Sequence, residues 1–454
     1  MNRADLTALY LDEVKRQGVA ARDLIGSQAD SDVLHAFYSG LYLSRPLFLG
    51  HEEVTRLYSD LDNVRSALVS LPGRLFGGDL AAFARAVGMT EIQVSAIMRC
   101  PSTTVTKMSR ADLYLDETGF KLLELNMGSA LGGIDNAEMI SSLLEHPVLA
   151  EFAETHRLTY VDTLREQANT INAECGLEPG SRPMMAAVEW PSSYKSTEPF
   201  MRLHMARLRK LGYDAHCCHI GQLEVHDERV WLEGRPVDVI NRVFLIEDLM
   251  ESPEAPALAE PILDAVARGW VKIFTPMDSG LYSSKGALAM LSDEENRSLL
   301  DPNELASLDR LLPWTRMARP GPVTLEDGRR VDLLQYALDH QDDLALKPTA
   351  MHGGIGIVLG WSENTNVRAW EEQVRAAMDG PYVLQRRIRP VAELFPGDDG
   401  ELVPWIVTWG PFTVASGYGG MYARAMTVAS NAEVINTNHG AYVGSGLYAL
   451  PDAG

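Results

Sequence analysis

Leu344-Ala-Leu-Lys347-Pro-Thr-Ala-Met-His-Gly353-Gly-Ile-Gly356-Ile-Val-Leu359 carries a lysine on an apolar run into a glycine turn and leaves as a second apolar run. The first run predicts a strand ending at Pro348, and Ile355 to Leu359 predicts the returning strand. A helix from Asn366 to Met378 and a further strand over Tyr382 to Ile388 follow. A strand-borne ammonium and bare glycine N–H groups are what a polyphosphate needs from a protein, one as charge and the others as donors.

More than two hundred residues earlier stand Arg110-x-Asp112 and Glu124-Leu-Asn126. Carboxylates and a side-chain amide are hard oxygen ligands, suited to Mg²⁺ shared with phosphates. Lys107 to Leu125 predicts a hairpin that holds all four residues, because Asp116-Glu-Thr-Gly119 supplies turn chemistry between two apolar runs. The site is thus expected to be assembled from both halves of the chain.

The rest of the sequence places these segments. Arg3 to Ile97 reads as mostly helical, with Leu57, Leu61, Val64 and Leu68 at helical spacing. Met184 to Val188 predicts a strand, then a polar loop with Ser192, Ser193 and Lys195, then a helix from Glu198 to Leu211. Asp238 to Leu245 and Lys272 to Pro276 predict further strands, the first carrying Arg242, and Ser284-Lys285 opens a helix. Strand, loop, helix and strand in sequence mark a small α/β region. We therefore expect a helical region with the metal-site hairpin over 1–180, a small α/β substrate-binding domain over 181–275, and a nucleotide-binding and lid region over 276–454.

Composition excludes several classes. The 454 residues are 46% hydrophobic and carry a net charge of −22, which gives no electrostatic footprint for nucleic acid or an anionic membrane surface. No stretch approaches the roughly 20 apolar residues that span a bilayer, and Met1 to Ala20 lacks the pattern of a signal peptide. The expected compartment is the cytoplasm. Four cysteines at irregular spacing suit a reducing environment. His216-Cys217-Cys218-His219 lies in a predicted strand, where successive side chains point to opposite faces and cannot close around one ion.

The motifs carry a family resemblance. Leu123-Glu-Leu-Asn126-Met-Gly-Ser129-Ala-Leu-Gly132-Gly133, with Arg110-x-Asp112 before it, resembles the metal segment of glutathione synthetase and glutathionylspermidine synthetase type ATP-grasp ligases. Lys347-Pro348 with Gly353-Gly354 is similar to that family's lysine and glycine-rich lid, Ser284-Lys285 to its earlier nucleotide lysine, and Gly420-Met-Tyr-Ala-Arg424 to its late arginine segment. Metal residues precede nucleotide lysines, so the branch implied is the circularly permuted one. The implied fold is α/β (α+β), a permuted ATP-grasp with a helical N-terminal region and a small α/β substrate domain.

The resemblance also implies roles. Asp112, Glu124 and Asn126 would hold Mg²⁺; Lys285, Lys347 and the loop Met351, His352, Gly353, Gly354 and Gly356 would hold and cover the phosphates of ATP. Backbone groups of Gln385, Arg386 and Ile388 would meet the adenine edge. Arg110 and Arg424 would face the substrate carboxylate and the transferring phosphoryl group, with Ser129, Ser193 and Arg242 at the substrate. The implied reaction joins a small-molecule carboxylate, an amino acid or small peptide, to an amine partner such as a second amino acid through an acylphosphate, with γ-glutamyl ligation as one specific version. A homodimer is an allowed assembly, and neither nucleic acid nor membrane is an expected partner. Eukaryotic glutathione synthetases carry a carboxylate where this chain has Met351-His352, which moves the third metal ligand to Asp112. Two alternatives remain at this stage: a small-molecule kinase using the same nucleotide site, and a catalytically silent nucleotide-binding protein.

Overall fold

The computed structural model describes residues 1–29, 32–102, 104–351 and 353–451. In chain order the strands that frame the site are β1 (Leu47–Leu49), β2 (Ser109–Asp116), β3 (Gly119–Met127), β4 (Met184–Glu189), β5 (Asp214–His219), β6 (Val239–Arg242), β7 (Lys272–Phe274), β8 (Thr315–Met317), β9 (Leu344–Pro348), β10 (Val358–Leu359), β11 (Tyr382–Arg386), β12 (Leu402–Val414), β13 (Gly417–Thr427) and β14 (Tyr442–Ala449). They form three sheets.

The largest sheet runs β1-β14-β13-β12-β2-β3, antiparallel except where β1 lies parallel to β14. The early hairpin β2–β3 is therefore flanked by the last strands of the chain. Its turn forms as the sequence predicts: Asp116 Oδ1 accepts from the Thr118 amide (2.7 Å), the Thr118 hydroxyl (2.8 Å) and the Gly119 amide (3.1 Å). The second sheet is parallel, in the order β7-β6-β4-β5. All six residues of β4 are buried, as expected of a parallel strand covered on both faces. The third sheet, β8-β11-β9-β10, is antiparallel.

Several predicted elements need correction. The N-terminal region is helical apart from β1, whose three buried residues are too short an apolar run for periodicity to separate from helix. The long helix His51–Phe76 buries Val54, Leu57, Leu61, Val64, Leu68 and Leu71 along one stripe and stops at Gly77, in the left-handed region at φ +59°. The predicted loop at Ser192 to Lys195 is the first turn of the helix Pro191–Lys210, because Pro191 supplies a preset φ at the first helical position. The strand expected from Ile355 shrinks to Val358–Leu359, since Gly356 at φ +73° breaks its start. All four cysteines are free. Among the described residues no helix is long and apolar enough to cross a membrane.

Candidate functional site

Register makes the site. In the β2–β3 hairpin Asp112 stands opposite Glu124, and Arg110 opposite Asn126. Residues two apart on a strand share a face, so these four side chains form a square on one face of the hairpin. Arg424 on β13 reaches the same square and places Nη2 2.6 Å from Asp112 Oδ2, while Arg110 Nε lies 3.0 Å from Asp112 Oδ1. Both guanidinium groups thus converge on one buried carboxylate. Burial opposes the charge on Arg424, but Asp112, Tyr422 and Glu124 together outweigh it, so its pKa is raised.

Two lysines complete the cluster. Ser284 caps the helix Lys285–Ser292, its hydroxyl accepting from the Gly286 amide at 3.1 Å, and this fixes Lys285 at the helix start. Lys285 Nζ then lies 2.9 Å from Glu124 Oε2 and donates to the Met351 carbonyl at 3.1 Å. Lys347 on β9 is buried and donates to Gln385 Oε1 at 2.5 Å. Four cations surround two carboxylates, which leaves an excess of positive charge inside a chain whose net charge is −22. A concave site of that sign attracts a polyanion.

Burial, reinforced by the nearby Lys285 charge and opposed by Glu124, lowers the Lys347 pKa from 10.5 to about 8. Between those values the unfolded chain holds the proton and the folded chain does not. The penalty for burying the ammonium is therefore full below the folded-state value and is relieved as pH rises through the window. Lys347→Met removes the penalty. Its stability advantage over the parent is expected to shrink by on the order of 3 kcal/mol from neutral pH to the top of the window, read from urea unfolding at both ends.

The glycine loop sits over this cluster. Gly353, Gly354 and Gly356 all have positive φ (67°, 83° and 73°), and Asn436 Nδ2 donates to the Gly353 carbonyl at 3.0 Å. A Cβ at Gly354 would stand 2.8 Å from Val434 Cγ1, so the loop packs closely on the segment around Val434. Met351 and Ile355 present exposed apolar side chains on either side of the glycines. His352 lies outside the described residues.

A cavity of about 450 Å³ joins these parts. Of the sequence-nominated residues it is lined by Arg110, Asp112, Glu124, Asn126, Ser129, Arg242, Lys347, Gly353, Gly354, Gln385, Arg386, Ile388 and Arg424. Lys285 and Met351 adjoin it through Glu124 and one another, whereas Ser193 and Gly356 are not among the lining residues. Ser193 sits in the helix Pro191–Lys210, its carbonyl accepting from the Ser196 and Thr197 hydroxyls.

Three nominated roles change with the geometry. Arg242 donates to the carbonyls of Thr275 (2.7 Å), Phe244 (2.6 Å) and Pro276 (3.3 Å) and to the Thr275 (3.2 Å) and Ser279 (3.1 Å) hydroxyls, so its guanidinium is spent on the wall. The Ser129 hydroxyl is likewise spent on the Arg242 carbonyl. Gln385 lies mid-sheet with Ala345 and Thr315 on either side, its side chain held by Lys347 and Thr315. The amides of Arg386 and Arg387 donate to the Trp314 and Asp343 carbonyls, both at 2.8 Å. Of the predicted hinge, Ile388 is the first residue past the ladder.

The cavity also uses residues that motif reading passed over. Thr408 and Trp361 line it, as do Glu433 to Thr437, a loop with no compositional mark. Tyr422 lines it too, with Arg110 and Arg424 Cζ atoms 5.6 and 5.8 Å from its ring centroid. That ring lies on Gly133, at φ +69°, where a Cβ would stand 2.4 Å from Tyr422 Cγ. Gly133→Ala is expected to destabilise the chain by more than about 2 kcal/mol in urea unfolding, since strain and overlap add.

No family model matches this chain, and no curated protein matches it. Among solved structures, the apo form of a glutathione synthetase-like effector from Globodera pallida matches with a TM-score of 0.55 at 12% identity, over 90% of each chain. A Methylobacillus flagellatus protein provisionally assigned as a gamma-glutamylcysteine synthetase overlaps 82% of this chain and 81% of that one at 12% identity, with a TM-score of 0.38. The first likeness shows a fold shared with a glutathione synthetase-like protein, and the second is too low to add to it.

Proposed function

We propose that the chain is an ATP-dependent carboxylate–amine ligase of the circularly permuted ATP-grasp type. The observation that carries this reading is the cavity in which Arg110, Arg424, Lys285 and Lys347 surround Asp112 and Glu124. What supports the permuted branch is order, since the hairpin residues precede both lysines.

Glu124 and Asn126 stand side by side on β3 with Asp112 opposite, a hard-oxygen donor set that fits Mg²⁺ completed by phosphates. ATP held with Mg²⁺ supplies the phosphoryl group that makes a carboxylate reactive towards an amine. Lys285 and Lys347 bind and orient the phosphates. Arg424, preset on Asp112, holds the substrate carboxylate against the phosphoryl group it attacks, while Arg110, whose nitrogens go to Asp112 and the Leu131 carbonyl, positions Asp112 and the loop beside it. The loop at Gly353 and Gly354 keeps water from the acylphosphate. The amine nitrogen then forms the C–N bond as the C–O bond to phosphate breaks, with ADP, phosphate and an amide as products and the surplus ammonium protons released. γ-Glutamyl transfer is one specific version of this chemistry.

The test is release of ADP and free phosphate across a matrix of carboxylates and amines. A ligase needs the pair and yields a condensed mass. ADP without free phosphate would identify a kinase.

A further inference from the structure

The residues that line the cavity begin at Arg110, yet a turn of the N-terminal region reaches both segments that carry the site's lysines. The helix Leu80–Ala86 runs into Val87 and Gly88. Gly88 lies at φ +97°, where a Cβ would stand 2.6 Å from Thr349 Oγ1 and 2.8 Å from Pro381 Cβ. Across the same contact, a Cβ on Gly286 would stand 2.9 Å from the Val87 carbonyl oxygen. Glycine on both sides lets segments far apart in the chain approach more closely than a side chain would allow.

Ser284 is the centre of this joint and is 1% exposed. Its hydroxyl, which accepts from the Gly286 amide, shares its proton between the carbonyls of Val87 (3.1 Å) and Thr349 (3.2 Å). The Lys285 amide donates to the same Thr349 carbonyl at 2.9 Å. Thr349 stands two residues after Lys347, so one carbonyl ties the backbone of one lysine to the strand of the other. Ser283 extends the joint to the hairpin, its hydroxyl accepting from the Met127 amide at 2.7 Å. Behind the turn, Phe83 packs on Tyr282 with ring centroids 5.8 Å apart.

We propose that Gly88 and Ser284 are positioning residues for the nucleotide: the turn at 87–88 braces Lys285 and the strand of Lys347 as one unit, which gives the N-terminal helices a role in phosphate binding. The charge-assisted bonds of two lysines to one polyphosphate depend on the spacing of their ammonium groups, and that spacing is held by the joint rather than by the lysines themselves. The assignment rests on the nucleotide part of the ligase reading and deepens it.

The test is calorimetric titration of the full chain with ADP and Mg²⁺, beside urea unfolding of each variant. Ser284→Ala should weaken ADP binding at least about 10-fold. Thr90→Ala is the control: Thr90 caps the next helix, Glu91–Arg99, accepting from the Gln93 amide at 3.4 Å, and bonds to neither lysine segment. Loss of a helix cap alone lowers stability in both variants and leaves ADP affinity unchanged in both. A second measurement needs no variant. In the parent, ADP should slow amide exchange at Val87 and Gly88, together with Lys285 and Thr349, at least about 5-fold more than in the helix Pro147–Thr155. ADP binding by Ser284→Ala within about 3-fold of the parent, an equal loss in Thr90→Ala, or no added protection at Val87 and Gly88 overturns the assignment. A parent chain that binds no ADP overturns the nucleotide reading, and the role of the joint with it.

Discussion

Glu124→Gln is expected to lower nucleotide-dependent turnover by at least about 100-fold while leaving the fold intact. Glu124 is the carboxylate that touches both halves of the site, opposite Asp112 in the hairpin and 2.9 Å from Lys285 Nζ. An amide keeps its size and can still accept from Lys285, but it withdraws the anionic oxygen that Mg²⁺ prefers over a neutral one. It also leaves Lys285 and Lys347 with less opposing charge. Because the Glu124 side chain is 21% exposed, the stability cost should stay below about 1 kcal/mol. Turnover within a few-fold of the parent would reduce Glu124 to a structural partner of Lys285.

Arg424→Met is expected to cost both turnover and stability, and the two losses separate. Its guanidinium is nearly buried and lies 2.6 Å from Asp112, whose other oxygen is held by Arg110. Removing it leaves a buried carboxylate with one partner in place of two, a cost of about 2 kcal/mol or more. It also removes a preset cation from the phosphoryl position, which predicts a loss of about 10²- to 10³-fold in kcat. Adding Asp112→Asn should restore most of the stability, since the surplus charge disappears, but none of the turnover. A double-mutant cycle in urea and in phosphate release reads both. Recovery of turnover in the double variant would show that Arg424 acts only by neutralising Asp112.

Much of this site is legible in one sequence because its parts are local. The hairpin announces itself through two apolar runs and an Asp-Glu-Thr-Gly turn, and the lysine strand through the glycines behind it. Even so, the pairing of Asp112 with Glu124 depends on a register shift between Asp112 and Leu113 that no alternation pattern shows. The sheet that brings Arg424 to Asp112 joins residues about three hundred apart, and strand pairing over such distances leaves no local mark. Arg242 shows a different limit. Its residue type suits a substrate carboxylate, but Thr275, Pro276 and Ser279 take its donors, and that depends on where β7 ends. The loop from Glu433 to Thr437 has no mark in the sequence because its role comes from packing on Gly353 and Gly354.

The central claim is that one cavity couples ATP cleavage to joining a carboxylate with an amine. Its most direct measurement is free phosphate released from ATP and Mg²⁺ by the full chain across a matrix of carboxylates and amines, with product masses recorded from the same wells and Glu124→Gln run beside it. The account predicts phosphate only in wells that hold a productive pair, a product equal in mass to the pair less one water, and silence in the variant. Phosphate release that ignores the amine, or a phosphorylated small molecule as the end product, would contradict it.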